Sequence, residues 1–292
     1  MCIRDSCEEV AFNSYPAAVM PDFKGLRYIT CPNQTVSDSK NHHPGIDNRG
    51  PFLAMNPFSS RCCQHNHAQG WPYYAEHLIL ATPDNGVAAA MYAACKATVK
   101  VGDGNEISLH EQTNYPFEET IRFTVNTPKA VSFPFYLRIP SWTEGATIFV
   151  NGKKVAANPE AGQYACINRE WKDNDQVEIQ LSMQLSMRTW QVNKNSVSVD
   201  YGPLTMSLKI DEDYVKKDSR ATAIGDSKWQ EGADASQWPT YEIYAKTPWN
   251  YALVLGKNEP LKDFKVVHKE WPADNFPFTV ASLSLIHISE PT

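Results

Sequence analysis

The stretch Phe133-Pro134-Phe135-Tyr136-Leu137-Arg138-Ile139 decides how this chain is read. Its apolar residues fall on every second position, with Pro134, Tyr136 and Arg138 between them. Successive side chains of a strand point to opposite faces, so this spacing predicts a strand with one buried face. The same period occurs in Ile121, Phe123 and Val125, and again in Val177, Ile179 and Leu181. Gly102-Asp103-Gly104-Asn105 and Asn151-Gly152 are turn signals between such runs. Strands about 8–12 residues apart with no helix between them predict an antiparallel β-sandwich. We place it over residues 87–205, with a further β-rich segment over 206–282.

Upstream of the turn Pro83-Asp84-Asn85-Gly86 the pattern is different. Residues 7–20 read as a helix with Val10, Ala11 and Phe12 on its inner side, kinked or ended by Pro16. Residues 21–61 are loop-rich, with a strand at Leu26-Arg27-Tyr28-Ile29-Thr30. Residues 70–82 read as a second helix with Pro72 in its first turn. The fold class expected is therefore α+β, helical first and β-rich afterwards.

Composition narrows the function. The 292 residues carry 27 Lys and Arg against 33 Asp and Glu, a formal charge of −6. That gives no basic footprint for nucleic acid. No apolar run approaches the ~18 residues of a membrane helix. With 42% apolar and 21% charged residues, the chain can bury a core and is not of disordered composition. Proline (20) outnumbers glycine (14), and aromatics are plentiful (8 Trp, 13 Tyr, 12 Phe). This suits a turn-rich β body.

Both ends resemble translated sequencing-adapter sequence: residues 1–6, Met1 to Ser6, and residues 283–292, Leu283 to Thr292. Such segments are set aside from fold reasoning and are expected to make few native contacts.

Beyond Cys2 there are six cysteines, irregularly spaced: Cys7, Cys31, Cys62, Cys63, Cys95 and Cys166. This is not a small disulfide scaffold. Cys95 and Cys166 lie in strand-like runs and are expected in the core. A disulfide between the neighbours Cys62 and Cys63 would be strained, because adjacent Cα atoms sit ~3.8 Å apart and disulfides prefer at least ~4.4 Å. Arg61-Cys62-Cys63-Gln64-His65-Asn66-His67 is the densest set of metal-type ligands, and thiolate with imidazole favours zinc. Read as extended, it would put Cys63, His65 and His67 on one face and Cys62 on the other. A buried thiol pair beside surface histidines accounts for the same residues. His42-His43 and Glu118-Glu119 read as solvated pairs, and Asn33-Gln34-Thr35 fits a glycosylation acceptor.

A set of stretches, in order, resembles glycoside hydrolase family 127, the bacterial β-L-arabinofuranosidases. Glu8 to Asn13 (EEVAFN) is similar to the family's E-R-x-L-Y-N helix, and Leu26 to Asn33 (LRYITCPN) to the strand and turn after it. Arg61 to Asn66 (RCCQHN) is similar to C-C-P-P-N, with Gln64-His65 in place of the two prolines. ATPDNGVAAAMY, QTNYPFEETIRFTV, LRIPSW, ATIFVNGKKV, INREWKDNDQVEI and DYGPLTMSL resemble the sandwich that follows.

The resemblance implies that residues 7–86 are the C-terminal tail of an (α/α)6 catalytic barrel, followed by β-sandwich domains. It implies a zinc cofactor held by one Glu and three Cys. Cys62 and Cys63 match two of these metal ligands, and Cys62 matches the catalytic nucleophile. Glu8 and Tyr28 match positions lining the sugar pocket. The family's Glu-x-Cys pair and acid/base Glu fall before Cys7, so this piece alone is expected to be inactive. The implied activity is retaining, exo-acting hydrolysis of β-L-arabinofuranosides, with an oligosaccharide or glycoconjugate as partner and neither nucleic acid nor membrane. A noncatalytic sugar-binding or structural sandwich, and a structural zinc protein, are the competing classes.

Overall fold

The structure, a computed structural model, describes residues 3–27, 29–30, 34–40, 42, 53–59, 61–156, 160–223, 229, 232–253, 255–256, 259–262 and 264–268. The described chain is mostly β, with few helices and several sheets. It opens with α1 (Ile3–Glu9), a π-helical turn (Val10–Ser14) and α2 (Tyr15–Ala17). Three short strands follow: β1 (Leu26–Arg27), β2 (Val36–Ser37) and β3 (Ala54–Met55). After α3 (Arg61–Glu76) come β4 (Ile79–Ala81), β5 (Val87–Ala89), β6 (Cys95–Val101), β7 (Asn105–Thr113), β8 (Thr120–Asn126) and β9 (Val131–Arg138). Then come β10 (Ala146–Val150), β11 (Lys153–Lys154), β12 (Tyr164–Trp171), β13 (Asp175–Leu181) and β14 (Leu185–Trp190). The last are β15 (Ser196–Tyr201), β16 (Leu204–Met206), β17 (Glu212–Lys217), α4 (Ser219–Thr222) and β18 (Thr240–Ala245). No described helix is long and apolar enough to cross a membrane.

The chain divides into two compact units, Met1–Phe12 with Trp71–Thr205, and Asn13–Gly70 with Met206–Thr292. The first holds the sandwich. One sheet has the order β11-β10-β13-β8-β7-β6, the other β12-β9-β5-β4. All pairs are antiparallel except β5 with β9. The alternating residues face inward as expected: Ile121, Phe123, Val125, Phe135, Leu137, Ile139, Val177, Ile179 and Leu181 have no exposed surface. Phe123 meets Phe135 edge-on at 5.3 Å between ring centroids, joining the sheets. Trp171 is wholly buried, and its indole N–H donates to the Phe133 carbonyl at 3.0 Å. Asn151 (φ 50°) and Gly152 (φ 74°) form the tight link from β10 to β11, a conformation open to these two residue types. A separate sheet has the order β14-β15-β16.

In the second unit, β17 and β18 complete a sheet of order β1-β3-β18-β17, with β2 also paired to β18. The segment after 206 thus builds its sheet with strands from 26–55. Met20, Ala54 and Ile243 form its small core.

Several expectations are corrected. The second helix begins at Arg61 and ends at Glu76, so Pro72 lies inside it. Ile79–Ala81 is a strand paired with β5, because a short apolar run before a tight turn can close a hairpin. Val10 is 51% exposed. As expected of Pro16, the first helical run ends beside it, at Ala17, after a π-helical turn over Val10–Ser14. Cys166 faces solvent, since Ala165 and Ile167 take the inward positions of β12. At the N-terminus, Asp5 is buried and ion-paired to Arg138, a firm native contact in a segment expected to make few. Residues 283–292 lie outside the described residues.

Candidate active site

Cys62 and Cys63 sit in the first turn of α3, not on an extended segment. Cys62 is exposed, Cys63 half-buried, and both are free thiols with Sγ atoms 3.5 Å apart. Burial, with the neighbouring Cys62 thiol, pushes the Cys63 thiol up to about 11. On a helix, residues four apart share a face, which puts His67 in line with Cys63. His67 is turned to a bracing role: its ring stacks on Tyr15 with centroids 3.8 Å apart, and its Nε2–H donates to the Tyr15 carbonyl at 2.9 Å. His65 is exposed, and Asn66 donates back to the Cys62 carbonyl at 2.8 Å.

Pro72 lies inside the helix, and an outside group braces the turn before it. Proline offers no N–H to the carbonyl four residues back. Two residues earlier, the Gly70 N–H donates to the Tyr15 hydroxyl at 3.1 Å. A Cβ at Gly70 would stand 2.1 Å from that oxygen, so any larger residue would have to displace the Tyr15 ring.

Two features tie the cysteine turn to the sheet. The Gln64 carboxamide donates to the Met55 carbonyl at 2.7 Å. Asn56, fully buried, receives the Phe58 and Ser59 amides at 2.9 and 3.1 Å. It donates to the Trp238 carbonyl at 2.6 Å and to Ser219 Oγ at 2.9 Å. Asn56 is not singled out by the sequence, and Gln64 only as a departure from the family motif. The Asn56-Pro57 dipeptide, a turn-initiating signal, was the clue available.

Among the described residues, no group of three or more His, Cys, Asp or Glu side chains could hold a metal ion. The thiol pair has the soft donors that suit zinc, but zinc ordinarily takes four ligands. The pair fits zinc as half a site, and two further ligands would have to come from outside the described residues.

The structure places Glu8 in the sandwich unit with no exposed surface. It is ion-paired to Arg138, and its Oε2 accepts from the Tyr115 hydroxyl at 3.0 Å. Burial raises its pKa, while Arg138 opposes the shift. Tyr28 lies outside the described residues, as do Cys31, Asn33 and His43.

Residues 2–76 match the family model described as the GH127 catalytic domain of β-L-arabinofuranosidase, and residues 86–183 match its GH127 middle domain. Two successive domains of one enzyme family therefore lie in order along this sequence. The chain belongs to glycoside hydrolase family 127. Among solved structures it is similar to a glycoside hydrolase at 25% identity and TM-score 0.59, covering 73% of this chain and 38% of the other. It shares a fold with a GH127 β-L-arabinofuranosidase from Geobacillus stearothermophilus T6, at 20% identity and TM-score 0.59, over 83% and 43% of the two chains. A GH127 β-arabinofuranosidase gives 20% identity and TM-score 0.55, over 83% and 42%. The chain spans less than half the length of these structures. No curated protein matches it significantly.

Proposed function

We propose that this chain is part of a retaining exo-glycosidase acting on β-L-arabinofuranosides, with Cys62 as the nucleophile. The observation that carries this is the pair of free, adjacent thiols at the head of α3, within the residues matching a GH127 catalytic domain. On this reading residues 7–86 are the end of an (α/α)6 barrel, and the carbohydrate is an oligosaccharide or glycoconjugate.

An ordinary thiol is mostly protonated at neutral pH. Zinc bound to Cys62 and Cys63, with two further ligands from outside these residues, would keep both as thiolates. The Cys62 thiolate attacks the anomeric carbon as a carboxylic acid protonates the departing oxygen. Water, deprotonated by the same carboxylate, then displaces the thiolate and frees the sugar. Two inversions give net retention. No Glu-x-Cys occurs in this sequence, so these 292 residues alone would not turn substrate over. Tyr28 is proposed as a sugar contact on the family resemblance, and Glu8 would have to part from Arg138 to reach a sugar.

The test uses the longer enzyme that carries these residues. Cys62→Ser should abolish hydrolysis of an aryl β-L-arabinofuranoside. A trapped sugar should map to the Cys62 peptide by mass spectrometry. An adduct on a carboxylate, or near-normal turnover by Cys62→Ser, would replace this mechanism with a two-carboxylate one.

A further inference from the structure

The two thiols lie within a loop of chain that is tied down at both ends. Before them, Asn56 uses both ends of its carboxamide. Its oxygen accepts the Phe58 and Ser59 amides, and its nitrogen donates to Trp238 and Ser219. After them, Gln64 reaches back to the carbonyl of Met55, the residue next to Asn56. Asn56, Met55, Ser59 and Thr240 have no exposed surface, and Ser219 has 1%. Phe58 packs edge-on against Trp238 at 5.1 Å.

We infer that Asn56 and Gln64 are positioning residues for the Cys62-Cys63 pair, and that through Asn56 the distant residues Ser219 and Trp238 help to hold the cysteine site. A buried carboxamide that satisfies four partners is rigid, since breaking any one strands a polar group away from water. The turn it holds leads directly into Arg61 and the thiols. The family motif has proline where Gln64 stands. Here a hydrogen bond replaces the ring as the restraint on the first turn of α3. The catalytic meaning of this positioning rests on Cys62 being the nucleophile; the geometry does not.

The test is alkylation of the full chain by iodoacetamide, read thiol by thiol with peptide mass spectrometry. Exposed Cys166 is the internal reference, half-buried Cys95 reports opening of the sandwich unit, and amide exchange at Ile243 reports opening of the unit that holds the thiols. In the wild type, exposed Cys62 should react well before Cys63. The near-isosteric Gln64→Met, which removes one hydrogen bond, should raise the Cys63 rate about fivefold relative to Cys166, and Asn56→Ala, which removes four, should raise it further. Cys95 should not change. Gln64→Lys, which keeps an N–H donor, should return the ratio toward the wild-type value. If Asn56→Ala fails to fold, Gln64→Met and its lysine rescue decide the matter. A Cys63 rate relative to Cys166 that is unchanged in Gln64→Met, or a rise of exchange at Ile243 in step with Cys63, overturns the inference. Turnover retained by Cys62→Ser in the longer enzyme would instead sink the functional reading and leave the thiol positioning standing.

Discussion

Arg138 falls on the polar phase of β9, where alternation predicts a solvent-facing side chain, yet it is buried. Its Nη1 donates to Asp5 at 2.5 Å, its Nε to the Ala90 carbonyl at 2.7 Å, and Glu8 pairs with Nη2. Burial works against its charge, but Glu8 and its other neighbours hold the guanidinium above its ordinary pKa. Arg138→Met should therefore cost ~3–5 kcal/mol, because it leaves two carboxylates buried and unpaired. Urea unfolding would measure the loss, and adding Glu8→Gln should recover part of it. Nearby, Glu111 is also buried, accepting from the Ala93 amide at 3.1 Å and the Cys95 thiol at 3.6 Å. Burial pushes its pKa well up, and the Glu8 charge adds to this. Such a carboxyl holds its proton more tightly folded than unfolded. Its contribution to stability is thus full below about pH 4.3, the unfolded value, and is lost as pH rises through the folded pKa. Glu111→Gln should flatten the fall in melting temperature over that window. An unchanged pH profile would show that Glu111 titrates normally.

At the scale of elements, strands were easier to read than helices. The runs at 121–125 and 177–181 alternate strictly and have one buried face, as does 133–139 apart from Arg138, so register follows from the pattern. The helix carrying the cysteines has no such mark. Its sequence, RCCQHNHAQGWPYYAE, combines polar residues with Gly70 and Pro72, and its outside brace, Tyr15, is 55 residues away from Gly70. The β4–β5 hairpin depends on another close approach. A Cβ on Gly86 would stand 2.3 Å from the Pro134 carbonyl and 2.5 Å from its ring. A backbone atom cannot swing aside, so Gly86→Ala should destabilise the sandwich by ~1–3 kcal/mol. Thermal unfolding checks this. Gly104→Ala is the contrast, for a Cβ there meets nothing within 4 Å and only the positive φ resists it.

At the scale of the whole molecule, each compact unit draws on two separated stretches of sequence. Removing residues 206–292 should strip β17 and β18 from their sheet, leaving β1, β2 and β3 as two-residue strands. Amide exchange at Ala54 should then rise sharply, while Phe135 and Ile179 keep their protection. Equal exposure of both regions would show that the two units unfold as one. By itself, the sequence determined the sandwich strands and their inward residues, the adjacent free thiols and the family, because those depend on local period and short motifs. Only the tertiary structure decided that α3 begins at the cysteines, that Arg138 and Glu8 are an interior pair, and that Asn56 and Gln64 restrain the thiol-bearing turn. The Arg138–Glu8 pair and the Asn56 bonds to Ser219 and Trp238 rest on partners from distant parts of the chain. A hydrogen bond or ion pair across 100 or more residues leaves no periodic trace in the sequence that folds to make it.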